Sequence, residues 1–436
     1  MNSRKIYISV VLFFFCLIQG RAQQVLTLEN AVKLALENNF EIKIATNDLQ
    51  IEKTNVASGN AGMLPKATAT IVDNNGVQNL SQTRSDGTVT KLDNAKSNNI
   101  TYGVGLDWTI FDGFKMFAKM DQLKELQKLG EVQLKMAILT KISDVNSTYF
   151  DLVQQQQEMT ALDSTLVLSK QRLTLAQNRF SIGKASKLEV LNAQVDLNTD
   201  TALLLKQKEL YANTKISMNQ TLARSISEDF KVRNEIEVDN KLDLKELYDL
   251  SKKQNPSLEA QVINKRVAEL QLKQVKANRY PNVKLNTGYN FNETQSGLGF
   301  TTQSSARGLN YGFSASLNIF DGFAQKRNEK IAQLQLNNAS IAIEQQNAVL
   351  ESQVATAFQS YQTNLQLIDL EIKNEAIAKQ NLDITVEKFK IGTITTFEFR
   401  TAQLNYLTAK VRNSNAHLQA KLSEIALKEL AGNLSL

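Results

Sequence analysis

The sequence has 436 residues, a formal net charge of +6, and only one cysteine, one histidine and three prolines. The cysteine lies inside an N-terminal apolar run, so the rest of the chain has no disulfide, thiolate metal site or cysteine nucleophile, and the lone His417 supplies neither a histidine zinc site nor a Ser-His-Asp triad. So small a net charge carries no basic footprint for nucleic acid, and no catalytic residue, metal or cofactor is expected.

In chain order, Arg4 and Lys5 precede the apolar run Val10-Val11-Leu12-Phe13-Phe14-Phe15-Cys16-Leu17-Ile18, and Gly20-Arg21-Ala22 follows it. This pattern predicts a secretory signal peptide over residues 1–22, because the run is well short of the roughly 20 apolar residues that span a bilayer. Its removal takes Arg4, Lys5 and Arg21 and lowers the net charge from +6 to +3. A short helix is expected from Thr27 to Asn38 and a second from Phe40 to Met63. Two strands follow, over about 66–74 and 100–111, with an Asn-, Ser- and Thr-rich loop from Gly76 to Asn98 between them. In the second of these, Val104, Leu106, Trp108 and Ile110 alternate with Gly103, Gly105, Asp107 and Thr109, the period of 2 that gives a strand one apolar and one polar face.

The turn Phe111-Asp112-Gly113-Phe114 opens a stretch to Arg179 with no proline and only Gly130 as glycine, which predicts a helix of roughly 100 Å over 114–179. Within it Ile138, Ile142, Val145, Tyr149 and Leu152 step by four and three, the spacing of a coiled-coil seam. A tip turn over 180–185 contains Phe180 and Gly183, the glycine suited to a left-handed helix end, and a helix over 186–222 returns. Residues 225–241 lack periodicity and read as an equatorial linker.

The rest of the chain repeats this plan. Asn39 and Pro65 recur as Asn255 and Pro281, an offset of 216 residues, while Phe111-Asp112-Gly113-Phe114 recurs as Phe320-Asp321-Gly322-Phe323, an offset of 209 that also relates Phe180 and Gly183 to Phe389 and Gly392. Two repeats are therefore expected, 23–224 and 242–436. The second has a helix from Ser257 to Arg279, strands over about 282–292 and 309–320 around a loop from Thr294 to Ala306, a long helix over 323–388, a tip turn over 389–394 and a helix over 395–431. The strand lengths suit tilted transmembrane strands, and four such strands cannot close a barrel alone, because open sheet edges in lipid leave backbone groups unpaired. The alternative is a soluble periplasmic coiled-coil scaffold or adaptor whose strands form a non-membrane hairpin domain.

The duplication, the paired Phe-Asp-Gly turns, and the paired Phe-x-x-Gly tips followed by Ala193-Gln194 and Ala402-Gln403 make the chain resemble the TolC-like outer-membrane efflux protein family over essentially its whole length after the signal. The resemblance implies a mostly α fold with a transmembrane β part: helix-strand-strand-helix units from three chains sharing a 12-strand β-barrel on a long coiled-coil α-barrel. It implies a homotrimeric channel in the outer membrane, in contact with its lipid and with the helices in the periplasm. Its partners would be a periplasmic adaptor (membrane fusion) protein and an inner-membrane transporter of RND or ABC type, and its cargo small molecules or polypeptides. Phe180, Gly183, Phe389 and Gly392 become tip and adaptor-contact candidates, and Asp112, Gly113, Asp321 and Gly322 the strand-to-helix turns. In well-known relatives an arginine and two aspartates close the aperture; the matching positions are Ile394, Glu398 and Thr401, so Lys184, Lys187, Glu189, Glu398 and Arg400 are the gate candidates.

Overall fold

The computed structural model describes residues 24–297 and 301–434, so the expected signal peptide lies outside the described residues. The elements are β1 (Gln24–Leu26), α1 (Leu28–Asn38), α2 (Phe40–Asn55), β2 (Lys66–Thr83), β3 (Val89–Phe111), α3 (Lys115–Ser181), α4 (Lys187–Thr221), β4 (Phe230–Val232), α5 (Leu244–Gln254), α6 (Pro256–Ala277), β5 (Asn282–Ser296), β6 (Gln303–Ser316), α7 (Ala324–Ile391) and α8 (Thr396–Leu430). They form two compact units that cut across the sequence repeats. The first takes the chain up to Thr46, Leu134–Ser257 and the chain from Asn347 onward; the second takes Asn47–Gln133 and Leu258–Gln346. Each unit thus draws matching pieces from both repeats, as expected when a duplicated hairpin packs against its own copy rather than folding alone.

In the first unit the seam positions Ile142, Val145, Tyr149 and Leu152 are buried together with Ala31, Val32 and Ala35 of α1, Met218 and Leu222 at the end of α4, and Ile425 of α8. Residues 225–241 are more than a linker. Phe230–Val232 pairs in parallel with Gln24–Leu26, and three residues are too few to show a period. The Tyr149 hydroxyl ties this small sheet to α3, donating to Leu26 O at 3.1 Å and accepting from Arg233 N at 3.2 Å. Burial raises the Tyr149 pKa, so the hydroxyl stays protonated and able to do both.

Two asparagines join consecutive helices end to end. Asn39 accepts from Glu41 N (2.9 Å) and Ile42 N (3.3 Å) at the start of α2, while its amide donates to Thr221 O (2.8 Å), a last-turn carbonyl of α4. Asn255 does the same in the second repeat, accepting from Ser257 N and donating to Leu430 O, each at 3.0 Å. One side chain thus satisfies orphan donors of one helix and an orphan acceptor of another. Asn39→Ala is expected to cost about 2 kcal/mol, a lost cap plus a lost bridging bond. Asn39→Ser, which keeps the cap but not the bridge, should recover about half, as read from denaturation midpoints in detergent.

The second unit contains one antiparallel sheet in the order β2-β3-β5-β6. The strands depart from their expected limits in three ways. β2 and β3 run on through most of the expected Gly76–Asn98 loop, to a turn near Asp86-Gly87. Backbone bonds between two adjacent strands hold such a ribbon whatever its side chains, so a polar stretch did not signal it. A register shift between Gln78 and Leu80 breaks that ribbon's regularity. The expected Thr294–Ala306 loop shrinks likewise, since β5 reaches Ser296 and β6 begins at Gln303. Conversely β6 stops at Ser316, short of the expected 320, because it is an edge strand and residues 317–320 have no neighbour. Finally, α2 ends at Asn55 instead of Met63: Gly59 and Gly62 interrupt it, and Gly62 takes a left-handed φ of +83°.

Candidate functional site

The sheet presents an open apolar face. Ile71, Val104, Tyr311 and Phe313 are exposed, and just past the end of β6 Ile319 is 95% exposed, far beyond what a soluble hairpin packed on helices leaves uncovered. Tyr102 and Phe291, directly opposite each other on β3 and β5, stack at 4.9 Å. Among the described residues no helix is long and apolar enough to cross a membrane.

Where the strands meet the long helices, the Phe-Asp-Gly turns repeat one geometry. Gly113 and Gly322 have φ of +71° and +65°, and the following Phe114 and Phe323 also lie in the left-handed region, a conformation that costs a non-glycine residue about 1–3 kcal/mol. The aspartates offset that strain by capping: Asp112 accepts from Met116 N at 3.0 Å and Asp321 from Gln325 N at 2.8 Å.

At the other end of the long helices, both tip turns are Schellman motifs. Lys184 N donates to Arg179 O and Gly183 N to Phe180 O; Thr393 N donates to Lys388 O and Gly392 N to Phe389 O. Gly183 and Gly392 supply the left-handed residue, with φ of +75° and +84°. The two phenylalanines then diverge. Phe180 is 44% exposed, with the Lys187 ammonium 5.5 Å from its ring centroid, whereas Phe389 is 3% exposed against Phe399. Arg179 locks the second turn, lying over the Phe389 ring and donating to Phe389 O at 2.7 Å.

The gate candidates separate into three roles. Among the described residues neither Lys184 nor Lys187 forms an ion pair, and Glu189 accepts instead from Thr396 Oγ1 at 2.8 Å, joining the starts of α4 and α8. Glu398 turns back on its own helix in a capping box with Thr395, whose amide and hydroxyl donate to the carboxylate at 2.8 and 2.9 Å and hold its pKa below the ordinary glutamate value. Arg400 faces inward, donating to both oxygens of Asp200 at 2.8 Å, with Asp196 3.6 Å away.

Around that pair lies a buried polar cluster that the sequence reading did not single out. Ser169 donates to Asp200 at 2.5 Å, Arg172 pairs with Asp196, and the Gln403 amide donates to Ser169 Oγ at 2.8 Å and to Thr165 O at 3.0 Å. The Arg172 side chain is 0% exposed, and its Nε and Nη1 have no hydrogen-bond partner among the described residues. The signal that would have revealed the cluster is a failure of the repeat. Arg172, Asp196, Asp200 and Arg400 have Asn381, Asn405, Ala409 and Leu191 as counterparts at offset 209, so these charges occur in one copy only. His417 is half-buried and lines a cavity of about 280 Å³ with Gln157, Glu375 and Lys410; burial lowers its pKa. No cluster of metal-ligating side chains occurs among the described residues.

The sequence profile of the family described as Outer membrane efflux protein matches residues 31–224 and 247–433. The chain belongs to that family. It is 22% identical to the Outer membrane protein TolC of Escherichia coli (strain K12) over 349 residues, 78% of this chain and 70% of that protein. Among solved structures, the CmeC outer membrane channel of Campylobacter jejuni superposes with a TM-score of 0.77 at 18% identity, covering 93% of this chain and 85% of the other. The open state of the Neisseria gonorrhoeae MtrE outer membrane channel gives 0.73 at 17% identity, covering 94% and 89%. At such identities the superpositions carry the fold, while the profile carries the family. As a member the chain is an outer-membrane efflux channel protein, which performs no bond chemistry and works within an oligomeric assembly.

Proposed function

We propose that the chain is one protomer of a homotrimeric exit duct through which small molecules or polypeptides leave the periplasm, with the energy supplied by an RND- or ABC-type inner-membrane transporter through a periplasmic adaptor. The observation that carries this reading is the four-stranded sheet with an open apolar face and two unpaired edges. Each unpaired backbone group in hydrocarbon costs several kcal/mol, so a sheet facing lipid must close on itself, and four strands per chain require sister chains to do it. Three copies supply about twelve strands, an even number within the range of bacterial barrels. Purified protein added to planar lipid bilayers should give discrete ion-conducting steps. A water-soluble monomer that neither enters membranes nor conducts would overturn the reading.

In this duct the tip turns bearing Phe180, Gly183, Phe389 and Gly392 form the end that the adaptor contacts, with Phe180, Ile182 and Ile391 among its exposed apolar side chains. Asp112, Gly113, Asp321 and Gly322 mark the boundary between membrane and periplasm. Lys184, Lys187, Glu189 and Glu398 border the aperture, and Arg400 acts at one remove by tying α8 to α4. The capping box allows a clean test of Glu398, since glutamine at this position keeps the reciprocal bond to Thr395 and loses only the charge. Glu398→Gln is expected to lower cation preference in single-channel reversal potentials and to lower thermal stability slightly at neutral pH, where the ionised carboxylate contributes; unchanged selectivity would confine Glu398 to the cap. The folded state holds the Glu398 proton less tightly than the unfolded chain does. Its stabilising contribution is therefore present above the ordinary glutamate range, is lost as pH falls through the depressed value, and should be missing from the acid limb of the variant's stability curve.

A further inference from the structure

Where the strands hand over to the helices, the second unit has a cavity of about 940 Å³. The strand residues that line it are Thr109, Asn282, Lys284 and Ser316. Thr109 lies opposite Lys284 and Asn282 opposite Ser316, so with the two-residue period of a strand all four share one face. The row between them and the rest of the sheet, Trp108, Leu285 and Phe313, belongs to the other face, the apolar one. The cavity therefore opens on the water side of the sheet and not towards lipid. Lys284 also sits on β5, an interior strand with backbone neighbours on both sides.

Three lysines, Lys115, Lys284 and Lys326, line this cavity, and among the described residues none of them forms an ion pair. Lys115 donates to Asn278 Oδ1 at 3.3 Å. The acids of the cavity are already engaged: Asp112 and Asp321 cap α3 and α7, accepting from Met116 N and Gln325 N, while Arg279 is held by Glu329. The fold itself does not ask for the lysines. At offset 209 for the helices and 216 for the strand, their counterparts in the other copy are Ala324, Thr68 and Phe117, which fill the same backbone positions without a charge. Two further features point to a ligand. Asn282 Oδ1 is buried and has no hydrogen-bond partner among the described residues, an acceptor that waits for a donor. Tyr280, Phe320 and Phe323 line the cavity with more than half of each residue exposed.

We infer that this cavity is a way-station for aromatic anions, molecules with carboxylate, sulfonate or phosphate groups on a flat apolar ring, held by Lys115, Lys284 and Lys326. The inference rests on the exit-duct reading, which makes the water face of the sheet the path of the cargo, and it names a class of that cargo. The ammonium groups attract the anionic groups, the exposed rings take the ring of the cargo, and Asn282 accepts from a hydroxyl on it. All three lysines are exposed, so each contributes little and release stays fast, as passage through a duct requires.

Pyranine, a hydroxypyrene trisulfonate, is the probe. Its fluorescence anisotropy with the full chain in non-ionic detergent should report binding that weakens about tenfold in Lys284→Gln with Lys326→Gln and about threefold in each single variant, the range of exposed charge pairs. Lys284→Arg, which keeps the charge, should bind as the parent does. Unchanged binding in the double variant overturns the site. So does an equal loss in Lys91→Gln with Lys206→Gln, two lysines that do not line the cavity, because attraction to any basic surface would then suffice. Equal binding of an aromatic cation, pyrenylmethyl-trimethylammonium, would reduce the cavity to an apolar patch. Should the double variant fail to assemble, Lys115→Gln reads the same cavity from α3. In planar bilayers pyranine should interrupt the single-channel current of the parent, and interrupt it less in the double variant. Channel current with neither binding nor interruption removes the site and leaves the duct standing. Binding without any channel current removes the exit-duct reading and the transport role with it.

Discussion

Asp200→Ala is expected to destabilise the helical unit by about 3–5 kcal/mol, the cost of removing one partner from a buried ion pair. Asp200 is 1% exposed and receives both Arg400 nitrogens at 2.8 Å as well as the Ser169 hydroxyl. Without it two guanidinium groups, one fully buried, would share the single carboxylate of Asp196. The pair need not add net stability against an apolar core, since its burial costs desolvation; the large loss comes from stranding Arg400. Asp200→Ala with Arg400→Ala should therefore be less destabilised than the sum of the two single variants, with a coupling of about 1–3 kcal/mol in a double-mutant cycle of urea midpoints. Additive losses would show that the two side chains do not sense each other. Because Asp200 lies on α4 and Arg400 on α8, the same change loosens one tip hairpin from the other, and a rise in single-channel conductance should accompany the loss of stability.

Gly113→Ala is expected to cost about 2–5 kcal/mol, and Gly322→Ala in a detergent-solubilised monomer only about 1 kcal/mol. Both replacements put a Cβ on a backbone with positive φ, so both carry the strain of a left-handed alanine. Only at Gly113 does the new atom also meet a fixed obstacle, the carbonyl of Ala277 at the end of α6. The Gly113 turn cannot relax by rotating a side chain, since that obstacle is backbone. Tm values of the two variants against the parent protein give the comparison, and equal shifts would mean that the α6 contact is loose.

The asparagine joints, the capping box and the charged cluster rank differently in legibility. Asn39 and Asn255 were visible as repeat landmarks, yet their bonds to Thr221 O and Leu430 O depend on where two helix ends meet. Thr395 and Glu398 match the capping-box spacing, so the sequence held that pattern while assigning the acid a different part. The cluster of Arg172, Asp196, Asp200 and Arg400 was hidden, because Asp200 and Arg400 are brought together from 200 positions apart.

By itself the sequence determined the long helices, the seam residues Val145, Tyr149 and Leu152, the alternating strands and the twofold repeat. Each of these is a local period that burial imposes on consecutive residues. Only the tertiary structure decided where the strands end, which Phe of the tip pair is buried, and that Arg400 points inward. Strand limits depend on whether a neighbour offers backbone partners, and an ion pair depends on which helices touch. Neither is a property of residues next to each other in the chain.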